Sequence, residues 1–355
     1  MNNLCKKKLY VIVPYKNMER YADKFVHSIK KQFKSTDNVF ILLISDHSTD
    51  KTTGILKSAF LENENIIFVD SYGHGVSAAR NTGLKNLYQQ CDDCENKWVM
   101  FCDFDDLFSY SVYSILYNVK QVNEYDYIAF GYTTSQTNLE YKLANNISRL
   151  DSIDFIDRTI SGPVYIDSYN YNFNSPWAKI FKLSFLRKSN IFFDEELSFR
   201  EDLLFNLTIF KLSPRIGLVN RNYYYYYINP NSVVHRYIEN TLEQNDIIFR
   251  SFEYLFKASG YLNYSNLESK LLSKILIQSI FVFVFPTKGV NNSYISSKKR
   301  FKKLRESRSS QYYLIDLKVT HKDSTLKNRI IIFLYKRNYF LMMYLTMQIK
   351  NKLKR

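Results

Sequence analysis

Glycine and proline are scarce, with nine Gly and six Pro in 355 residues. That excludes collagen-like, low-complexity and broadly disordered chains, which are rich in one or both. Cysteine is as thin: Cys5, Cys91, Cys94 and Cys102 are too few for a disulfide framework and suit a reducing compartment. Cys91 and Cys94 form a CxxC, but no second pair or paired histidines follow at a zinc-site spacing. Long apolar runs are missing too. The longest, ILIQSIFVFVF at 275–285, is well short of the roughly 18 residues of a membrane-spanning helix. The opening MNNLCKKKLYVIVPYKN has an apolar run too short for a secretory leader, and it ends at Pro14. These absences predict a cytoplasmic globular protein, as two domains or one large domain with an appendage.

Aromatic residues and positive charge are plentiful instead. Aromatics make up 17% of the chain, with 30 Tyr and 27 Phe, and the net charge is +15. The charge is uneven. From Asn291 to Arg355 there are 17 Lys and Arg against three acids, so the preceding residues are nearly neutral. Such a tail fits either nucleic acid or an anionic membrane surface. Its closing run, RIIIFLYKRNYFLMMYLTMQIKNKLKR, interleaves bulky apolar residues with the cations, as an amphipathic helix lying on a bilayer does. A nucleic-acid tail is more polar between its charges, so no nucleic-acid partner is expected.

The first half alternates short apolar runs with helical patterns. LYVIV (9–13), VFILLIS (39–45), IIFV (66–69) and WVMFC (98–102) are apolar without alternation, which marks strands covered on both faces of a parallel sheet. Helical patterns follow each, implying right-handed crossovers and a doubly wound α/β layer with helices on both faces. Ligands in such sheets bind beyond the carboxyl ends of the strands. Pro14–Asn17, Asp46–Asp50 and Asp103–Asp106 all fall there. In MFCDFDDLF (100–108) three carboxylates crowd one strand end, an arrangement that needs compensation, for instance by a divalent cation. Ser48 and Asp50 read as helix caps.

Taken in order, these blocks resemble the glycosyltransferases of family 2, with the nucleotide-sugar-binding GT-A fold. The resemblance covers roughly residues 8–235. LYVIVPYKN looks like the opening strand and loop, with Lys16 where the family usually has an aromatic. ISDHSTD resembles the block usually written VDDGSTD, Ser45 and His47 replacing Asp and Gly. GHGVSAARNTGL is similar to the nucleotide-side helix, FCDFDD to the DxD block, and SPWAKIFKLSFLRKSNIFFDEELSFREDLLF to the acceptor-side segment ending in Glu-Asp.

The resemblance implies a nucleotide-sugar site built from Pro14, Asn17, Asp46, Ser77, Arg80 and Asp103. Asp46 would accept the base-ring N–H and Arg80 would contact nucleotide or phosphate. A departing diphosphate calls for charge neutralisation, and Mn²⁺ or Mg²⁺ takes carboxylate oxygens. Asp105 is the candidate direct ligand, Asp103 reaches the ribose or shares the metal, and Asp106 orients the loop. His235, after the tyrosine-rich YYYYYINPNSVVHR, is a candidate further metal ligand. Glu201-Asp202 opens a helical pattern, LLFNLTIF, and the resemblance selects Asp202 as general base with Glu201 supporting. Trp177 and Lys179 are expected to flank the acceptor or sugar pocket. His27, His47, His74 and His321 carry no assignment.

The expected organisation is a catalytic GT-A domain over 1–240 and a helical, basic, membrane-associating region over 241–355. The expected activity is a metal-dependent, inverting transfer of a hexose or N-acetylhexosamine, most simply from a UDP-sugar, to a saccharide or lipid-linked acceptor. Capsule, exopolysaccharide or cell-wall glycan assembly at the inner face of the cell membrane would use it. One alternative is a nucleotidyltransferase, although PYKNMERY lacks that class's glycine-rich phosphate loop. The other is a non-catalytic basic protein of membranes or nucleic acid.

Overall fold

The computed structural model describes residues 7–32, 38–90, 95–150, 159–160, 162–229, 236–257, 264–315 and 325–353. The CxxC pair and His235 lie outside them. The chain divides into two compact units, Met1–Ile228 and Asn229–Arg355.

The first unit is built on β1 (Lys8–Tyr15), α1 (Glu19–Gln32), β2 (Val39–Ser45), α2 (Thr52–Ala59), β3 (Ile66–Asp70), α3 (Val76–Gln89) and β4 (Lys97–Phe101). These four strands are parallel, in the order β3-β2-β1-β4. The order reverses direction at β1, and the crevice at such a switch point is where open α/β sheets bind ligands. Beyond β4 come β5 (Leu107–Phe108), β6 (Tyr127–Thr133), β7 (Ser148–Leu150), β8 (Pro163–Ile166), β9 (Tyr169–Asn172), β10 (Lys179–Lys182) and β11 (Ile216–Tyr225). The sheet continues as β10-β6-β11-β5, with β10 antiparallel to both neighbours and β11 parallel to β6.

Burial explains the unalternating strands. On β1, Leu9, Val11 and Val13 join one core with Ala22, Phe25 and Ile29 of α1 and Leu56 of α2. Ile12 points the other way, against α3. The approach is so close that a Cβ on Gly83 would come within 2.9 Å of the Ile12 side chain. Both faces of the central strands are therefore dry, and each fully buried aliphatic side chain contributes about 1.5–3 kcal/mol. The doubly wound α/β layer expected from the sequence is what the chain forms.

The second unit is helical. Helix Tyr264–Ser279 widens into a π-helical turn over Ile280–Val284. Ile275, Leu276, Ile280, Val282, Phe283 and Val284 are all buried, so the longest apolar run is an internal helix and not a membrane-facing one. Helices Tyr294–Glu306, Leu326–Lys336 and Phe340–Leu353 follow. In the last, Phe340, Met343 and Met347 point inward while Leu341, Met342, Leu345 and Ile349 stay exposed. Among the described residues no helix is long and apolar enough to cross a membrane.

Candidate functional site

The site lies at the carboxyl ends of β1, β2 and β4. Asn17 follows β1 in the left-handed region (φ 51°), which asparagine tolerates. Its Oδ1 accepts from Thr49 N at 2.8 Å and Asp50 N at 3.4 Å, while its backbone N–H donates to Ser48 Oγ at 3.0 Å. Asp50 accepts from Thr52 N and from Glu19 N, each at 3.0 Å, and so caps the starts of α1 and α2 together. Asn17 and Ser48 thus weld two loops into one surface; Ser48 serves that brace and not the helix start expected of it. Pro14 is buried within β1.

Asp46 closes β2 and is 5% exposed. Its Oδ2 accepts from Lys16 Nζ at 3.2 Å and from Gly75 N at 3.1 Å. Its Oδ1 is buried without a partner. A charged oxygen so placed needs a donor, as buried polar groups rarely go unsatisfied. Gly75 can meet it because it adopts φ 92°, outside the range of ordinary residues, at the start of α3.

One turn and a half along α3, Arg80 is 4% exposed. Its guanidinium forks: Nη2 donates to Asp103 Oδ1 at 2.9 Å and Nη1 to Glu201 Oε1 at 3.1 Å. Phe193 lies under the same group at 5.1 Å. Burial works against the Arg80 charge, but Asp103, Glu201 and then Asp202 together hold its pKa above the ordinary value. One cation therefore ties the DxD block to the Glu-Asp pair, though the latter lies about a hundred residues further on. The two expected halves of the site come together.

Glu201 and Asp202 open helix Glu201–Lys211, preceded by Arg200 in the left-handed conformation at φ 70°. Burial and then the Asp202 charge push the Glu201 pKa up to about 7 against the pull of Arg80. Asp202 bonds Leu203 N through Oδ1 at 2.7 Å and Ser175 Oγ through Oδ2 at 3.5 Å.

Asp106 turns away from its neighbours, as its spacing suggested. It is buried, accepts from Tyr224 Oη at 2.6 Å and Tyr227 N at 2.7 Å, and burial raises its pKa well above the carboxylate range. Tyr224 Oη also accepts from Asp103 N at 3.2 Å. The acidic loop is thus anchored from beneath while Asp103 and Asp105 are left half-buried. Two carboxylates suit a hard divalent cation that keeps water and phosphate ligands.

Three expected site residues, Ser77, Trp177 and Lys179, serve other purposes in this arrangement. Ser77 is buried and donates to Leu197 O at 3.4 Å. Asn81, the neighbour of Arg80, holds Phe193 and Glu195. Trp177 is 5% exposed and stacks on Tyr224 at 4.9 Å and Tyr226 at 5.2 Å, with Tyr132 edge-on. Its indole is committed to packing and offers no open face to a sugar. Lys179 is fully buried, and its ammonium donates to the carbonyls of Asn172 (2.5 Å), Ser175 and Trp177 (3.4 Å). Burial pushes its pKa down to about 7, opposed by Asp202. It braces the wall beside Asp202 instead of facing an acceptor. The Tyr224 anchor was missed from sequence; the tyrosine run on β11 was its only signal.

Comparison with known proteins bears on the family and the fold. The sequence model described as Glycosyl transferase family 2 matches residues 10–188. The chain is 23% identical over 228 residues to the uncharacterized glycosyltransferase EpsJ of Bacillus subtilis, covering 63% of this chain and 62% of that protein. It is 26% identical over 220 residues to the poly(ribitol-phosphate) beta-N-acetylglucosaminyltransferase TarS of Staphylococcus aureus, covering 62% of this chain and 35% of that one. The chain thus spans less than two thirds of these relatives' lengths. Residues 1–349 of S. aureus TarS, solved in complex with UDP-GlcNAc, superpose with a TM-score of 0.54 at 21% identity, over 77% of this chain and 72% of that one. The chain belongs to glycosyl transferase family 2 and has its GT-A fold.

Proposed function

We propose that this protein is an inverting glycosyltransferase that moves a hexose or N-acetylhexosamine from a UDP-sugar to a saccharide or lipid-linked acceptor in capsule, exopolysaccharide or cell-wall glycan assembly. The observation that carries the reading is the Arg80 fork, which joins Asp103 to Glu201 beside Asp202.

The residues divide the work. Asp46 Oδ1 accepts the N–H of a pyrimidine ring. Asp103 and Asp105 would hold Mn²⁺ or Mg²⁺, which when bound neutralises charge on the departing diphosphate. His235, a further candidate ligand, lies outside the described residues. Asp202 takes the proton of the acceptor hydroxyl as its oxygen attacks the anomeric carbon. The bond to the diphosphate oxygen breaks with its electron pair, and a single displacement inverts the centre. Glu201, its pKa pushed up by burial and the Asp202 charge, is held beside Asp202 by Arg80 in a supporting role.

Residues 1–240 supply this catalytic part in our reading. The basic region 241–355 rests on the anionic inner face of the cell membrane. Support comes from the exposed Leu341, Met342, Leu345 and Ile349 and from a cavity of about 1010 Å³ lined by them in part and by Lys298, Lys299, Lys302 and Arg305. The bulky apolar residues between its cations favour a membrane over a nucleic-acid partner.

Incubating the purified protein with UDP-, GDP- and dTDP-sugars, with and without Mn²⁺, tests the activity. Release of nucleoside diphosphate is expected, and Asp105→Asn should raise the metal requirement and weaken donor binding. No release from any donor, together with binding of liposomes or RNA, would leave the non-catalytic reading standing. Unchanged metal dependence in Asp105→Asn rejects that residue as ligand.

A further inference from the structure

Two histidines at the rim of this site have no part in the transfer chemistry. His47 follows Asp46 and holds a left-handed backbone (φ 53°). Its ring lies 4.3 Å from that of His74, tilted by 42°. The His47 Nε2–H donates to the Gly73 carbonyl at 3.2 Å, which leaves Nδ1 as the ring's acceptor. A ligating imidazole is usually fixed in this way, its second nitrogen bonded to a carbonyl. One ligand atom from each ring and one Asp46 oxygen lie within 4.8 Å of one another. Among the described residues no other group of three His, Cys, Asp or Glu side chains is so placed.

Asp46 gives the second, independent observation. It is buried, and its Oδ1 has no hydrogen-bond partner although Oδ2 has two. We propose that Asp46, His47 and His74 bind one transition-metal ion of the Zn²⁺ class, and that the bound ion and the nucleotide donor exclude each other. Two imidazoles and a carboxylate suit Zn²⁺, Ni²⁺ or Cu²⁺ far better than Mg²⁺ or Mn²⁺. This set differs in kind from the oxygen-only Asp103 and Asp105. Tetrahedral Zn²⁺ with bonds near 2.1 Å wants ligand atoms about 3.4 Å apart. The gap to be closed is up to about 1.4 Å, within reach of rotations of the two exposed rings. The metal site stands on its own geometry. Only the exclusion of donor rests on Asp46 as the base acceptor.

Zn²⁺ alone, titrated calorimetrically into EDTA-stripped full-length protein, tests the site. Co²⁺ absorption is read in parallel for four-coordinate geometry. Wild type should take one ion at this site. His74→Ala and His47→Ala should each bind at least about tenfold more weakly, and the double variant should lose the ion. Both rings are exposed, so the variants keep the fold, which circular dichroism checks. A Cys91→Ser/Cys94→Ser variant should retain the ion. Wild-type affinity in the double variant, or loss in the cysteine variant, overturns the site. UDP titrated with and without saturating Zn²⁺ tests the exclusion. Weaker UDP binding in wild type and no change in the double variant is expected. Equal UDP binding in wild type overturns the exclusion and faults Asp46 as base acceptor, while the metal titration still decides the site.

Discussion

Replacing Arg80 with methionine keeps the side-chain stem and removes the cation that joins the two halves of the site. The guanidinium is 95% shielded and faces Asp103, Glu201 and Asp202. Removing one partner of a buried pair leaves the other charge uncompensated and costs about 3–5 kcal/mol. For a unit of this size each kcal/mol lowers Tm by about 2–4 °C, so a fall of about 6–20 °C is expected. Both tryptophans of the chain, Trp98 and Trp177, are buried in the first unit, so thermal unfolding read by their fluorescence reports on it. The effect carries a pH signature. Glu201 already has its pKa raised to about 7, so the folded chain holds a proton that the unfolded chain releases near its ordinary value of 4.5. Stability from this group therefore falls as pH rises from about 4.5 to 7. Without Arg80 the pKa climbs further and the fall continues above 7. The deficit of the variant should thus be larger at pH 8 than at pH 5. Arg80→Lys, charged but unable to fork, should lie between. A Tm within about 2 °C of wild type at pH 8, or a deficit independent of pH, refutes the bridge.

Asp202→Asn should leave UDP affinity nearly intact, by calorimetry, while turnover falls about 10²- to 10⁴-fold. Normal turnover removes it as base. Tyr224→Phe strips the buried Asp106 of its hydroxyl partner and should cost about 1–3 kcal/mol in denaturant unfolding, with donor binding weakened as the acidic loop loosens. Serine at Leu341, Met342, Leu345 and Ile349 together should release the protein from phosphatidylglycerol vesicles in a flotation assay without loss of helical content. Truncation before residue 331 is a poorer test, since it removes the buried Phe340, Met343 and Met347 as well.

The central strands were legible because burial on both faces writes itself as unbroken runs such as VFILLIS, which coincides with β2. The start of α3 at Val76 and of the acidic helix at Glu201 was legible for a similar reason, each lying at a change of period. β9 was not, because YNYN carries too few apolar residues to mark a strand, and it is held by a hairpin with β8 and by pairing with the distant β6. Within the site, residue type and position at strand ends pointed to Asp46 and Asp103, and the family resemblance to Glu201-Asp202 at a helix start. What each side chain does with its hydrogen bonds was not readable. The bonds of Asp106 to Tyr224 and of Arg80 to Glu201 span more than a hundred residues of chain and follow only from the completed sheet. Trp177 and Lys179 show the same limit: an indole and an ammonium look equally apt for a sugar pocket until the carbonyls and rings around them are known.

Helix α3 begins where Gly75 N meets Asp46 and carries Arg80 five residues later, about 7.5 Å along its axis. It packs closely against Ile12 at Gly83. On the proposed reading, base selection at one end and charge balance around the acceptor side at the other would share one helix. A ligand that seats badly against Asp46 would then tilt that helix and disturb its far end, so discrimination among nucleotides would be felt in turnover as well as in affinity.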